Sequence, residues 1–221
     1  MDKLQHPLIQ LGRGLFQEEY PGKLVPFTLQ LAQKKYGKDF GKYIEYFIGS
    51  ICEPSHIKYR RVINKNYYNM YKKIKHRLRK GEWKTIEKYL QHIFGKDNFQ
   101  MALEYFWNLY MHPEQKLPFL GLVSDKKGTG KSTFLDLLAL IFQANVSVVS
   151  GVDFNSRFNE HFANSLIITS DEHSEGKERQ SIAQKLKMLI TESRIRVEAK
   201  FGNAYTANCY FKIVFAGNNE E

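Results

Sequence analysis

Cysteine is scarce. Cys52 and Cys209 are far apart and sit in unlike contexts, so they read as free thiols in a reducing compartment and no disulfide framework is expected. No apolar run approaches the ~18 residues that a membrane span needs. The opening stretch, MDKLQHPLIQLGRG, lacks the apolar core and small-residue cleavage site of a secretory signal. A cytoplasmic protein with no membrane partner is therefore expected. None of the seven histidines pairs with a cysteine at zinc-ligand spacing, so a structural metal is not expected either. Fixed-period repeats and low-complexity tracts are also missing. With 43% hydrophobic and 14% aromatic residues in a 221-residue chain, disorder is excluded and a core burying roughly 70% of the extended surface is within reach.

Acid is missing from one long stretch. Between Pro54 and Gly81 stand ten basic residues and no Asp or Glu, which accounts for the formal net charge of +10. Tyr59, Tyr67, Tyr68 and Tyr71 are interleaved. That combination points to a polyanion surface, with Lys72, Lys73, Arg77 and Lys80 on phosphates and the tyrosines stacking on unpaired bases.

Hydrophobic spacing predicts an irregular arm with a short helix near 28–35, then helices over 39–51 and 64–80. Two more are predicted from Trp83 to Gly95 and from Asn98 to Met111, making 1–112 a mostly helical, basic region. From 113 the pattern changes. Strands are predicted at 119–123, 146–149, 166–169, 194–200, 205–208 and 210–216, and helices at 131–142, around Phe154, Phe158 and Phe162, and at 178–191. The helix at 131–142 is apolar on more than one side, which suits a position between a sheet and another layer. Strand, helix, strand, helix, strand is the order of an α/β domain with a covered central sheet.

The densest motif is Asp125-Lys126-Lys127-Gly128-Thr129-Gly130-Lys131-Ser132, with Thr133 following, between a strand and a helix. A G-x-x-x-x-G-K-[ST] loop aims successive amides and a helix N-terminus at phosphates. Its Lys reaches the β- and γ-phosphates and its hydroxyl holds Mg²⁺. ATP with Mg²⁺ is the expected ligand. Asp125 stands where the first glycine is usual. Aspartate adopts unusual backbone angles more readily than most residues, and it is expected to point away from the phosphates. About forty residues on, a strand ends in Asp171-Glu172, the arrangement that places one carboxylate on Mg²⁺ and another on the attacking water. Arg194, Arg196 and Lys200 share period two, so one face of a strand would carry all three toward a nucleic-acid backbone.

These residues, with Leu117–Ser124 before the loop, Phe154–Asn159, Leu186-Lys187 and the strand ending at Asn218, resemble the superfamily 3 helicase-like ATPases found in primase-helicase proteins of phages, plasmids and integrated elements. The resemblance covers about Glu82 to the end. It implies an α/β, AAA+-like P-loop NTPase core over 113–221 and an ATP-dependent DNA helicase or translocase working in replication of such an element, within a bacterial host or phage-infected cell. Lys131 and Ser132 would be the nucleotide pair, Asp171 and Glu172 the second motif, and Ser193–Thr206 a hairpin contacting single-stranded DNA through Lys200. Asn218 would be the polar sensor of the γ-phosphate. The full-length protein would form a homo-oligomeric ring, a hexamer, and could carry a primase or polymerase domain, although no such signature occurs in these residues. An arginine is expected after the sensor strand. Only Asn219, Glu220 and Glu221 follow it, so the chain reads as an excerpt. Two other functions fit the loop: an ATP-switched nucleic-acid loading module with little hydrolysis, and a small-molecule kinase, which would need an acceptor pocket.

Overall fold

A computed structural model describes residues 7–11, 13–77, 79–150, 156, 159–171, 184, 186–198 and 205–218. The chain divides into two compact units, 1–73 and 74–221, whereas the sequence pattern places the break at 112/113.

The first unit is built mainly from strands. β1 (Leu8–Leu11), β2 (Gly14–Tyr20), β3 (Lys23–Pro26) and β4 (Ile44–Phe47) form a sheet of order β3-β2-β1-β4. In it β1 and β4 run parallel and the other pairs antiparallel. Helix α1 (Leu29–Tyr36) starts where the Thr28 hydroxyl accepts from the Leu31 amide. Its Ala32 packs with Leu8 and Leu15 as the core. A second sheet, β5-β7-β6, pairs β5 (Gly49–Ile51), β7 (Tyr67–Asn69) and β6 (Val62–Ile63).

This corrects the expectation of a mostly helical N-terminal region. The predicted helix at 39–51 is a single 3-10 turn, Phe40–Tyr43, followed by β4 and β5. Its aromatic and β-branched residues suit a pleated surface equally well, and pairing with β1 satisfies its backbone. The predicted helix at 64–80 is absent. Asn64 and Lys65 take left-handed φ of 48° and 67° and turn the chain from β6 into β7, as short hairpin turns require. Described residues from 70 to 77 are not helical.

Two of the four tyrosines expected to stack on bases serve this unit's interior instead, whereas Tyr67 is exposed. Tyr68 and Tyr71 are fully buried. The Tyr68 hydroxyl donates to Glu18 Oε1 at 2.5 Å and accepts from the Gly22 amide at 2.9 Å, while Tyr71 hydrogen-bonds His56 Nδ1 at 2.6 Å. Arg61 makes hydrogen bonds of 2.9 and 3.0 Å to the buried Glu18 carboxylate and a further one of 2.6 Å to Glu45. Arg60 pairs with Glu53 at 2.5 Å. Two cations of the acid-free stretch are therefore neutralised by acids from elsewhere in the chain.

The second unit is a mixed α/β arrangement on a four-stranded parallel sheet. β8 (Leu120–Ser124), β9 (Val146–Val148), β10 (Ile167–Asp171) and β13 (Lys212–Asn218) lie in the order β8-β13-β10-β9. β11 (Arg194–Val197) and β12 (Tyr205–Asn208) make an antiparallel hairpin. Helix α2 (Lys84–Met111) precedes β8, α3 (Lys131–Phe142) follows it, and α4 (Glu160–Ala163) leads into β10. Residues 186–191 are helical, whereas 178–183 lie outside the described residues, as do Phe154 and Phe158. Gly95, at φ 73° and ψ 161°, kinks α2, so the two helices expected here form one bent element. Phe94 and Phe106 of α2 both meet Phe134 of α3, with ring centroids 5.4 and 5.7 Å away. α3 buries Phe134, Leu138 and Phe142 but leaves Leu140 74% exposed. Only one of its faces is covered among the described residues, against the expectation of two. No helix among the described residues is long and apolar enough to cross a membrane.

Candidate functional site

β8 ends at Ser124, and α3 begins at Lys131 after a short connection. In that connection, Gly128 and Gly130 have φ of 73° and 93°, a region that favours glycine. At Gly130 space is restricted as well, because a Cβ would meet Ile93 Cδ1 and Tyr89 Cε2, both at 3.3 Å. Asp125 is exposed and keeps a negative φ. The first position of the motif thus needs no glycine in this chain, and the unusual backbone expected there is absent.

Lys131 folds back over the loop. Its ammonium donates to Ser124 Oγ at 2.6 Å, Thr129 Oγ1 at 3.4 Å and the Lys126 carbonyl at 3.4 Å. Ser124 Oγ also donates to the Lys126 carbonyl at 2.9 Å and lies 3.1 Å from Thr129 Oγ1. Ser132 and Thr133 occupy the first turn of α3 and are exposed. There the start of the helix and its dipole favour an anion. Lys126 and Lys127 are exposed on the loop. A lysine, a helix N-terminus and two left-handed glycines can together hold a phosphate group.

Parallel pairing brings two other expected residues to the same end of the sheet. Asn218 pairs with Ser124, and Asp171 pairs with Ala216, which in turn faces Leu122. Asn218 therefore stands level with the start of the loop, while Asp171 lies two residues deeper on the next strand. Glu172 and Lys200 lie outside the described residues. Among the described residues no group of three or more His, Cys, Asp or Glu is placed to hold a metal ion.

Sequence reasoning missed the residues of α2 that meet the loop. The Tyr89 hydroxyl donates to the Gly130 carbonyl at 2.8 Å, and His92 Nε2 lies 3.3 Å from the Thr129 carbonyl. No local signal marks them, since both sit on an ordinary helix. A cleft of about 500 Å³ runs from Lys131, Thr129 and Ser124 between β8 and α2, reaching Asn98 and Met101.

The expected nucleic-acid residues are distributed unevenly. Arg194 and Arg196 share the exposed face of β11, above the buried Ile195 and Val197, and Arg196 meets Glu198 at 3.3 Å. Lys73, Arg77 and Lys80 are exposed. Lys72 is half-buried, and burial lowers its pKa.

This unit is thus defined as a parallel α/β domain whose glycine loop, lysine and helix start converge at the strand ends. Comparison with known proteins links it to a phage protein. Residues 122–221 match DUF5906, a family of unknown function. A stretch of 119 residues is 27% identical to the DNA primase-polymerase of Nitratiruptor phage NrS-1, covering 52% of this chain and 17% of that protein. Two apo structures of the NrS-1 C-terminal region superpose with TM-scores of 0.78 and 0.75 at 18% and 19% identity. They cover 96% and 97% of this chain and 54% of each solved chain. The fold is shared with that region, and this chain spans about half of it.

Proposed function

We propose that residues 74–221 bind ATP·Mg²⁺ through a P-loop at 125–132 and belong to an ATP-dependent DNA helicase or translocase of phage replication. The observation that carries the reading is the convergence of Lys131, the start of α3, Asn218 and Asp171 at one end of a parallel sheet. Asp171 and Ser132 would hold the metal, Glu172 would orient and deprotonate water, and Asn218 would contact the γ-phosphate or that water. Arg194, Arg196 and Lys200, with exposed cations near residues 73–80, would hold single-stranded DNA by its phosphates. The full-length protein would act as a hexameric ring and could carry a primase or polymerase domain, as the name of the NrS-1 relative suggests.

Calorimetry with ATP·Mg²⁺ tests the binding step. Lys131→Ala should abolish measurable affinity, whereas Glu172→Gln should keep affinity and lower turnover by ~10²-fold or more. Unchanged ATP affinity in Lys131→Ala would overturn the proposal. Turnover that does not respond to single-stranded DNA in the full-length protein would instead favour a small-molecule phosphotransferase.

A further inference from the structure

We infer that the cleft between α2 and β8 is the nucleoside end of the same site and takes adenine, with Asn98 reading the base. The inference rests on the reading of 125–132 as the phosphate loop and extends it to the part of the ligand the loop does not touch.

Continuity is the first argument. Lys131, Thr129 and Ser124, the residues of the candidate phosphate site, line the same cleft as Asn98 and Met101 of α2. A molecule with an anionic tail and an uncharged head fits that polarity. Lys131 supplies the ammonium at the phosphate end, and among the described residues no Asp or Glu lines the cleft. Its volume of about 500 Å³ falls within the ~300–1,000 Å³ usual for small-molecule sites.

Chemistry of the walls is the second argument. Ile93, Phe94 and Met101 supply apolar surface, and Met101 is 65% exposed, a surface that a flat ring would cover. Asn98 is the lining side chain that offers one donor pair and one acceptor together. That pattern complements adenine N6 and N7 and matches guanine O6 and N7 poorly. β8 is an outer strand of its sheet among the described residues, so main-chain groups along 120–123 are available to ribose hydroxyls.

Local structure explains why these groups meet. The kink at Gly95 divides α2 into a first segment that touches the loop through Tyr89 and His92 and a second that carries Asn98 and Met101 along the cleft.

The test separates base from phosphate. The 221-residue chain is titrated by calorimetry in Mg²⁺ with ATP, GTP and inorganic tripolyphosphate, alongside Asn98→Ala and Met101→Glu, both on the surface of α2 where folding tolerates change. The expected result is ~10-fold weaker ATP binding in each variant, a smaller ATP-over-GTP preference in Asn98→Ala, and unchanged tripolyphosphate affinity. Variants that leave ATP affinity unchanged while tripolyphosphate still binds would overturn the nucleoside subsite and leave the phosphate loop standing. Equal weakening of both ligands would show that these residues only shape the loop, which also overturns the subsite. A native chain that binds no tripolyphosphate would overturn the phosphate-loop reading and the subsite with it.

Discussion

The Tyr89 hydroxyl donates to the Gly130 carbonyl across 2.8 Å, so a residue from the helix before the sheet fixes the last glycine of the loop that follows β8. That carbonyl also accepts from the Phe134 amide at 3.0 Å as the first bond of α3. One oxygen therefore links α2, the loop and the start of α3. Tyr89→Phe removes one hydrogen bond and leaves the ring against Gly130. ATP and tripolyphosphate affinity should fall together by about 5-fold, the equivalent of ~1 kcal/mol. Calorimetry with both ligands checks this, and a loss confined to ATP would place Tyr89 on the nucleoside instead.

The Glu18–Arg61 pair should hold the first unit together. Glu18 is 4% exposed and also accepts from Tyr68, so removing Arg61 leaves a buried carboxylate without its counter-ion. Arg61→Ala is expected to destabilise the unit by about 3–5 kcal/mol, and Tyr68→Phe by about 1–3 kcal/mol. Denaturant unfolding followed by tyrosine fluorescence measures both. Losses below about 0.5 kcal/mol, the size of an ordinary surface substitution, would show that the cluster contributes little to stability.

Lys212 is 2% exposed and donates to the carbonyls of Pro113 and Tyr210. Burial, reinforced by the charge of Lys116 and opposed by Glu114 and Cys209, lowers its pKa to about 7 from the ordinary 10.5. Between those values the unfolded chain keeps a proton that the folded chain has released, so stability should rise with pH across that window. Below about pH 7 both states hold the proton and the full penalty of a buried charge applies. Lys212→Met should flatten the rise. Unfolding midpoints measured from about pH 7 to 10 give the slope, and an undiminished slope in the variant would assign it to other groups.

Single-stranded DNA binding, if it uses the basic stretch, should depend on exposure rather than on charge count. Neutralising Lys73, Arg77 and Lys80 together should reduce the slope of log affinity against log salt by about 0.7 for every phosphate that these side chains had neutralised. Lys72→Gln should leave it unchanged, because Lys72 is half-buried and its pKa is lowered by that burial. Fluorescence anisotropy at several salt concentrations distinguishes the two.

Much of the second unit is legible in local sequence. Gly128, Gly130 and Lys131 between a short apolar run and a long one specify strand, loop and helix. Only nearest-neighbour conformations and the helix N-terminus are involved. The short apolar runs within 120–124, 167–171 and 212–218 mark strands for the same reason. Which ends of those strands share an edge depends on parallel pairing, and the register of Asn218 with Ser124 makes that edge concrete.

The first unit is misread from local pattern because its elements are specified by partners distant in the chain. Residues 39–51 repeat apolar side chains at a spacing that a helix would use, yet the backbone of Ile44–Phe47 pairs with Leu8–Leu11, far earlier in the chain. Likewise the positions of Tyr68 and Arg61 depend on Glu18, and a stretch without acids reads throughout as a polyanion surface only while its partners are out of view. Composition and motif by themselves determined that this chain holds a glycine loop and lysine between strand and helix, with an excess of positive charge. Tertiary structure alone decided which of those charges are paired and which tyrosines are core. It also set the Tyr89 hydroxyl of α2 on the Gly130 carbonyl of the loop, because burial, pairing and close approach are properties of residues brought together from distant parts of the chain.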